Sequence, residues 1–226
     1  NEISLDINGL DVNDINGICR IEMLFDLNGR EICRKFYDKD GNRCLNSEGL
    51  LMFRFDWTDD SHIKTSIYYG KEERPSDKEL GYAYLIEEMD SVFPSKVHRR
   101  YYKNAAQEIV VVDEGFYIEE YLYDKDGNIV EIRNIGSNGV LMNTQNGYAI
   151  YRVETINNDE GQIRNVSYMD ESGNLVIPNG QSYAISQKCY DEKGRMIKER
   201  IFGIKEEPIQ FSDGTYGATY EYGADD

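Results

Sequence analysis

The chain has 226 residues, enough for one sizeable domain with a hydrophobic core. Its 25 lysines and arginines against 42 aspartates and glutamates give a formal net charge of −17. Neither nucleic acid nor an anionic membrane is therefore an expected partner, because both would repel such a chain. The 18 tyrosines, 20 glycines and only 4 prolines predict a folded, β-rich protein, not an acidic disordered one.

The chain is a tandem repeat with a period of about 32–35 residues. Successive repeats open on a glycine or serine followed by an apolar or aromatic residue, near positions 17, 49, 81, 115, 147 and 182. Residues 1–16 and 215–226 match partial repeats, so we expect a single β-repeat domain over 1–226. Because the chain opens on Asn1 and stops in mid-repeat, we also expect it to be a piece of a longer protein.

Each repeat carries the pattern of a β-hairpin. Alternating apolar and polar segments flank Asp-x-x-Gly turns, in which Asp closes the turn through its side chain and Gly supplies a positive φ. The glycines that we expect in such turns are Gly29, Gly41, Gly127, Gly173 and Gly194. The sequence thus predicts an all-β fold of antiparallel hairpin repeats, stacked into an elongated sheet or solenoid.

Two motifs resemble known repeat families. Turns such as Tyr123-Asp124-Lys125-Asp126-Gly127 resemble the tyrosine-rich YD-type repeats of bacterial surface proteins. The segment from Tyr168 to Pro178 resembles WG-type repeats. These resemblances imply an extracellular or cell-surface binding or scaffold segment attached to other modules.

Metal and cofactor chemistry has little support in the sequence. Cys19, Cys33, Cys44 and Cys189 form no C-x-x-C pair, and the chain has only two histidines, so we expect no metal site and no cofactor. Cys33 and Cys44 could meet across a hairpin as a disulfide, or all four thiols could be reduced. The segments beginning at Asp38 and Asp124 start like calcium loops but lack the acidic twelfth residue, which favours simple turns.

The aromatic residues fall into two sets. Those that recur at one repeat position are expected to be structural, since every repeat gives them the same neighbours: Tyr82, Phe116, Tyr148 and Tyr183. Phe53, Phe55 and Trp57 do not recur, share one strand face, and are expected to pack in the core. Tyr117, Tyr121 and Tyr151 also do not recur. We predict that they form a shallow ligand-binding strip, with Glu119 as a hydrogen-bond acceptor.

No nucleophile, phosphate-loop or dinucleotide motif occurs, and neighbouring glutamates on a strand face opposite sides. We therefore expect a protein that is not an enzyme and that binds a glycan, a cell-wall polymer or another protein. The alternatives are a mechanical spacer or scaffold within a larger protein and a carboxylate-dependent hydrolase.

Overall fold

A computed structural model describes residues 2–5, 9–58, 60–112, 115–159 and 161–223. The described residues form β-strands and turns without any helix, which confirms the all-β prediction. The chain divides into two compact units, Asn1–Val112 and Asp113–Asp226. The single domain expected from the sequence stays a prediction.

Unit 1 is an antiparallel meander in which each strand pairs with the next along the chain. Its strands are β1 (Glu2–Ile3), β2 (Arg20–Phe25), β3 (Glu31–Tyr37), β4 (Met52–Trp57), β5 (Ile63–Tyr69), β6 (Tyr84–Met89), β7 (Val97–Lys103) and β8 (Ile109–Val110).

Unit 2 repeats the same meander. Its strands are β9 (Ile118–Tyr123), β10 (Ile129–Ile135), β11 (Ile150–Asn158), β12 (Gly161–Met169), β13 (Ile185–Tyr190), β14 (Met196–Phe202) and β15 (Ala218–Thr219). In both units successive strands are adjacent, as expected when each repeat is a local hairpin.

The Asp-x-x-Gly turns share one hydrogen-bond pattern. At Asp38 the carboxylate Oδ1 accepts the backbone N–H of Asp40 at 2.9 Å and of Asn42 at 2.8 Å. The backbone N–H of Gly41 donates to the Asp38 carbonyl at 3.1 Å. Because the N–H of Asn42 stabilises the ionised carboxylate, the pKa of Asp38 lies below its ordinary value. The turn thus uses the oxygens that a calcium loop would need.

The prediction for the turn glycines is confirmed. All five lie in hairpin turns with φ between 77° and 82°, namely Gly29, Gly41, Gly127, Gly173 and Gly194. This left-handed conformation costs an L-residue about 1–2 kcal/mol, which is why the repeat keeps glycine there.

The prediction for the recurring aromatic residues is only partly right. Phe116 is buried, but Tyr82, Tyr148 and Tyr183 are half-buried. The buried residue is the next one in three repeats, since Ala83, Ala149 and Ala184 are 0% exposed. Each of these alanines donates its N–H to a carbonyl of a neighbouring strand, and its methyl group is fully buried. The tyrosine before it can keep its hydroxyl in water.

Unit 1 contains a continuous ladder of aromatic side chains. Ring centroids are 5.5 Å apart for Phe36–Phe53, 5.5 Å for Phe53–Tyr68, 5.4 Å for Tyr68–Tyr82 and 4.6 Å for Tyr82–Tyr102. Burial in this ladder raises the pKa of Tyr68 above its ordinary value. Such edge-to-face contacts between strands stabilise the sheet.

All four cysteines are free thiols, so Cys33 and Cys44 are not joined. Cys19 is buried, and the other three are half-buried. Burial raises the pKa of both Cys33 and Cys44, which keeps them protonated and unreactive at neutral pH.

Candidate functional site

The predicted strip lies mostly on one face of unit 2. Strand register places Glu119 opposite Asn134, and it places both Tyr121 and Tyr151 opposite Ile132. Glu119, Tyr121 and Tyr151 therefore share one face across β9, β10 and β11. The hydroxyl of Tyr121 donates a hydrogen bond to Glu119 Oε2.

Tyr117 lies just before β9 and is half-buried. Its backbone N–H donates to the carbonyl of Ile135 at 3.2 Å, so the chain is already held against β10 there. It does not line the cleft described next.

A cleft of about 1020 Å³ opens on this face. It lies where the β9–β10 turn and the start of β10 face the far end of β11. Its lining residues are Glu119, Asp124, Lys125, Asp126, Asn128, Ile129, Val130, Ile132, Asn134, Tyr148, Tyr151, Val153, Thr155, Asn157, Gln162 and Arg164. The cleft thus brings together Glu119 and Tyr151 from the predicted strip, but not Tyr117 or Tyr121.

The cleft exists because two neighbouring strands pair over only part of their length. β10 and β11 pair from Glu131–Arg152 to Arg133–Ile150 and no further. A bulge between Ile129 and Glu131 interrupts the β9–β10 ladder where the strands separate. A bulge bends its strand and increases the local twist, and the β2–β3 ladder of unit 1 has one at the corresponding place.

Polar side chains line the cleft and are partly fixed by one another. Gln162 Nε2 donates to Asn157 Oδ1 at 3.1 Å, and Asn128 Nδ2 donates to Asp124 Oδ2 at 3.0 Å. The Asn128 amide, followed by its backbone N–H, lowers the pKa of Asp124. The exposed guanidinium of Arg164 forms no hydrogen bond or ion pair with any residue that the structure describes.

Three tyrosines form an aromatic cluster, and two of them, Tyr148 and Tyr151, line the cleft. The ring centroid of Tyr168 lies 5.0 Å from that of Tyr148 and 5.6 Å from that of Tyr151. Tyr148 lines the cleft although its recurrence predicted a purely structural role. Tyr148 lines the cleft because the cleft opens beside its position in the repeat. Sequence position alone does not show this.

A second cleft continues from the first. It measures about 530 Å³ and shares Asn157, Gln162 and Arg164 with its larger neighbour. Its other lining residues are Gly161, Tyr190, Asp191, Glu192 and Gly194. The two clefts together form a groove that runs across the β11–β12 hairpin to the β13–β14 turn.

The opposite face of the same strands carries a charged network. Glu131 is 7% exposed and accepts hydrogen bonds from Arg133 Nε at 2.6 Å and Arg152 Nε at 2.8 Å. Burial by itself would raise the pKa of Glu131, but the two arginines outweigh it and lower the pKa. Glu131 is therefore a charged structural residue that holds β10 to β11.

Unit 1 has a smaller cleft at the corresponding place. It measures about 500 Å³ and is lined by Asp26, Arg30, Ile32, Cys33, Arg54, Phe55, Asp56 and Trp57. The strand register is the same, because Cys33–Arg54 in β3 and β4 matches Glu131–Arg152 in β10 and β11. The offset is 98 residues (152 minus 54).

No protein family model and no curated protein matches this chain. Among the described residues, no group of three or more His, Cys, Asp or Glu side chains is placed to hold a metal ion. The described part of the chain also has no helix long and apolar enough to cross a membrane.

Proposed function

We propose that the chain is a non-catalytic binding segment and that its ligand is a glycan or a cell-wall polymer held in the groove of unit 2. The observation that carries the proposal is the open cleft of about 1020 Å³, which is lined by two tyrosines and by amide and charged groups.

The chemistry of the walls suits a sugar chain. Tyrosine rings offer flat apolar faces to the C–H face of a pyranose, while their hydroxyls remain hydrated. Asn157 and Gln162 are exposed and can both donate to and accept from sugar hydroxyls. The exposed guanidinium of Arg164 supplies further donors for hydroxyl or carboxylate groups of the ligand.

The continuous groove favours a polymer over a small molecule. The larger cleft and its neighbour share Asn157, Gln162 and Arg164, so a linear ligand could contact both. A deep, closed pocket would instead favour a small ligand. A partner protein is the second candidate, and a mechanical spacer would need no such groove.

The carboxylates of the cleft are poorly suited to hydrolysis. A glycosidase needs one carboxylic acid that stays protonated near neutral pH. The pKa of Asp124 is lowered, and Glu119 already accepts a hydrogen bond from Tyr121. These features support binding without catalysis, and the resemblance to surface repeats supports a cell-surface or extracellular location.

An array of glycans and cell-wall polysaccharides tests the proposal. We expect the chain to bind at least one polysaccharide and Tyr151→Ala to weaken that binding about tenfold, which is about 1.4 kcal/mol. Phe53→Ala is the matched control, because Phe53 holds the corresponding position in unit 1. Absence of binding across the array, or equal losses in both variants, would contradict the proposal.

Tyr121→Ala tests the remaining part of the strip. Tyr121 holds Glu119 through its hydroxyl, so its loss should weaken binding while the free energy of unfolding changes little. A loss of stability of about 3–5 kcal/mol, typical of emptying an aromatic core site, would show that Tyr121 is structural.

A further inference from the structure

Junctions between repeats share one strand register, and three of them show how its side chains vary. The cross-strand pair Arg34–Phe53 joins β3 to β4, and Glu199–Ala218 joins β14 to β15. The pair Ile132–Tyr151 occupies the same place between β10 and β11. Side chains at corresponding positions of the three junctions can therefore be compared directly.

The β3–β4 junction holds an arginine between a carboxylate and a ring. Arg30 Nε and Nη2 each lie 2.7 Å from Asp26 Oδ2, and the guanidinium lies 5.3 Å from the centroid of the Trp57 ring. The indole Nε1–H of Trp57 reaches across to the carbonyl of Glu31 at 3.4 Å. We call this arrangement of Asp, Arg and aromatic ring a plug.

The β14–β15 junction contains the same plug. Arg195 Nε lies 2.8 Å and Nη2 2.7 Å from Asp191 Oδ2, and the guanidinium lies 4.6 Å from the Tyr222 ring centroid. The hydroxyl of Tyr222 donates to the carbonyl of Met196 at 2.8 Å. Each contact corresponds to one at the β3–β4 junction. The same arrangement of Asp, Arg and aromatic ring therefore occurs at two distant places in the sequence.

The β10–β11 junction keeps the turn aspartate but lacks both other parts. Asn128 stands where the plugged junctions have arginine, and Thr155 stands where they have tryptophan or tyrosine. Asn128 binds back to Asp124 instead of reaching towards β11. The cleft there is about 1020 Å³, against about 500 Å³ at the plugged β3–β4 junction and about 680 Å³ at the plugged β14–β15 junction.

We propose that the Asp–Arg–aromatic plug narrows repeat junctions, and that the pair Asn128 and Thr155 leaves the β10–β11 junction wide enough for a ligand. Positions 128 and 155 are then the specificity-determining positions of the repeat. The plug is held by a two-point ion pair and a cation–ring contact, both of which fix the arginine in place. The identity of the ligand rests on the proposed function, whereas the opening and closing of the junction does not.

The first test installs a plug in unit 2. In Asn128→Arg plus Thr155→Trp, we expect a crystal structure to show the introduced guanidinium between Asp124 and the introduced indole ring, with the cleft reduced to about half its volume. Asn128→Gln plus Thr155→Val is the matched control and should leave the cleft open. An unchanged cleft in the first variant would overturn the proposal.

The single tryptophan of the chain gives a second readout in solution. Trp57→Tyr should keep the first plug, because Tyr222 fills that role at the β14–β15 junction. In a Trp57→Tyr plus Thr155→Trp background, the introduced indole is then the only tryptophan. Acrylamide should quench it about threefold less when Asn128→Arg is added than when Asn128 is kept. Equal quenching would show that no plug forms.

The reciprocal variant opens unit 1. Arg30→Asn plus Trp57→Thr should enlarge the β3–β4 cleft towards the volume of its counterpart in unit 2. Circular dichroism and a cooperative thermal transition check that this variant is folded. A folded variant whose β3–β4 cleft stays at about 500 Å³ would also contradict the proposal.

Titration with chitohexaose and cellohexaose separates this inference from the proposed function. If the unmodified chain binds either sugar, the plugged variant should bind it at least thirtyfold more weakly and the matched control within threefold. If the unmodified chain binds neither sugar and is negative on the array while the cleft volumes still respond, the proposed function fails and the plug stands. If binding persists in a variant whose crystal structure shows the plug, the β10–β11 junction is not the binding site.

Discussion

The β3–β4 and β10–β11 junctions have the same backbone register but carry side chains of different size. In unit 1, Phe36, Phe55 and Trp57 fill the space beside the paired residues. In unit 2, the corresponding positions hold Asn134, Val153 and Thr155, each of which is smaller. One junction is narrowed by half-buried aromatic rings and the other is a wider groove, although both are built on the same turn and the same ladder.

This difference shows how a repeat protein can vary a surface without altering its scaffold. Turn glycines and backbone pairing fix the hairpins, so side chains at a junction can change with little effect on the strands. A polar residue at position 134 is tolerated because its amide donates to the carbonyl of Ala149 at 3.2 Å. The following predictions test where the two junctions are equivalent and where they differ.

The largest expected effect is Leu50→Ala. Leu50 is 0% exposed, so its removal leaves a cavity and should cost about 3 kcal/mol of unfolding free energy. Its counterpart Tyr148 is half-buried beside the cleft, and Tyr148→Ala should cost about half as much while weakening glycan binding more. Urea denaturation measures the stability of both variants. Equal losses of stability would show that Leu50 and Tyr148 do not differ in the way that their burial indicates.

Loss of the Glu131 charge is next in size. Glu131→Gln breaks two charge-assisted hydrogen bonds and should cost about 2 kcal/mol at pH 7, whereas Cys33→Ala at the corresponding place should cost about 1 kcal/mol. Because folding lowers the pKa of Glu131, its contribution is complete above the ordinary pKa of 4.5 and is lost as the pH falls through the lower folded value.

The measurement for Glu131 is urea denaturation of both proteins from pH 7 down to pH 2. The stability difference between the native chain and Glu131→Gln should shrink as the pH falls. A difference that is constant over this range would show that the arginines do not hold the carboxylate in its charged form.

The turn glycines should show no difference between the units. Gly41 has φ 81° and its counterpart Gly139 has φ 78°, and an added Cβ meets nothing within 4 Å at either position. Each Gly→Ala change should therefore cost about 1 kcal/mol, because only backbone strain is involved. Thermal unfolding of the two variants checks this, and a twofold difference would mean that the scaffolds are not equivalent.

The smallest expected effect concerns the turn aspartates. The backbone N–H of Arg30 holds the Asp26 carboxylate, and the side-chain amide of Asn128 holds that of Asp124, so both pKa values lie below 3.8. Their contribution is present above pH 3.8 and is lost as the pH falls through the lowered values. Carboxyl NMR titration should show depressed pKa values in both units. A titration midpoint at or above 3.8 for either Asp26 or Asp124 would show that the two turns are not equivalent.

Much of the fold could be predicted from the sequence. Asp-x-x-Gly spacing and alternating segments are local signals, and residues such as Gly41 and Asp38 act within a single turn. Parity along β9 is enough to place Glu119 and Tyr121 on one face. Recurrence predicted a structural role for Tyr148 but not that it also lines the cleft, since recurrence describes one repeat and not the repeats that pack beside it.

The sequence by itself determined the hairpins, because a turn and its two strands are closed by residues a few positions apart. It did not determine which junctions open. The Arg30–Trp57 contact joins residues from different repeats, and Asn128 and Thr155 are its counterparts across the β10–β11 junction. Such residues meet only because strands of neighbouring repeats pair in a fixed register, and that pairing is decided by the tertiary structure.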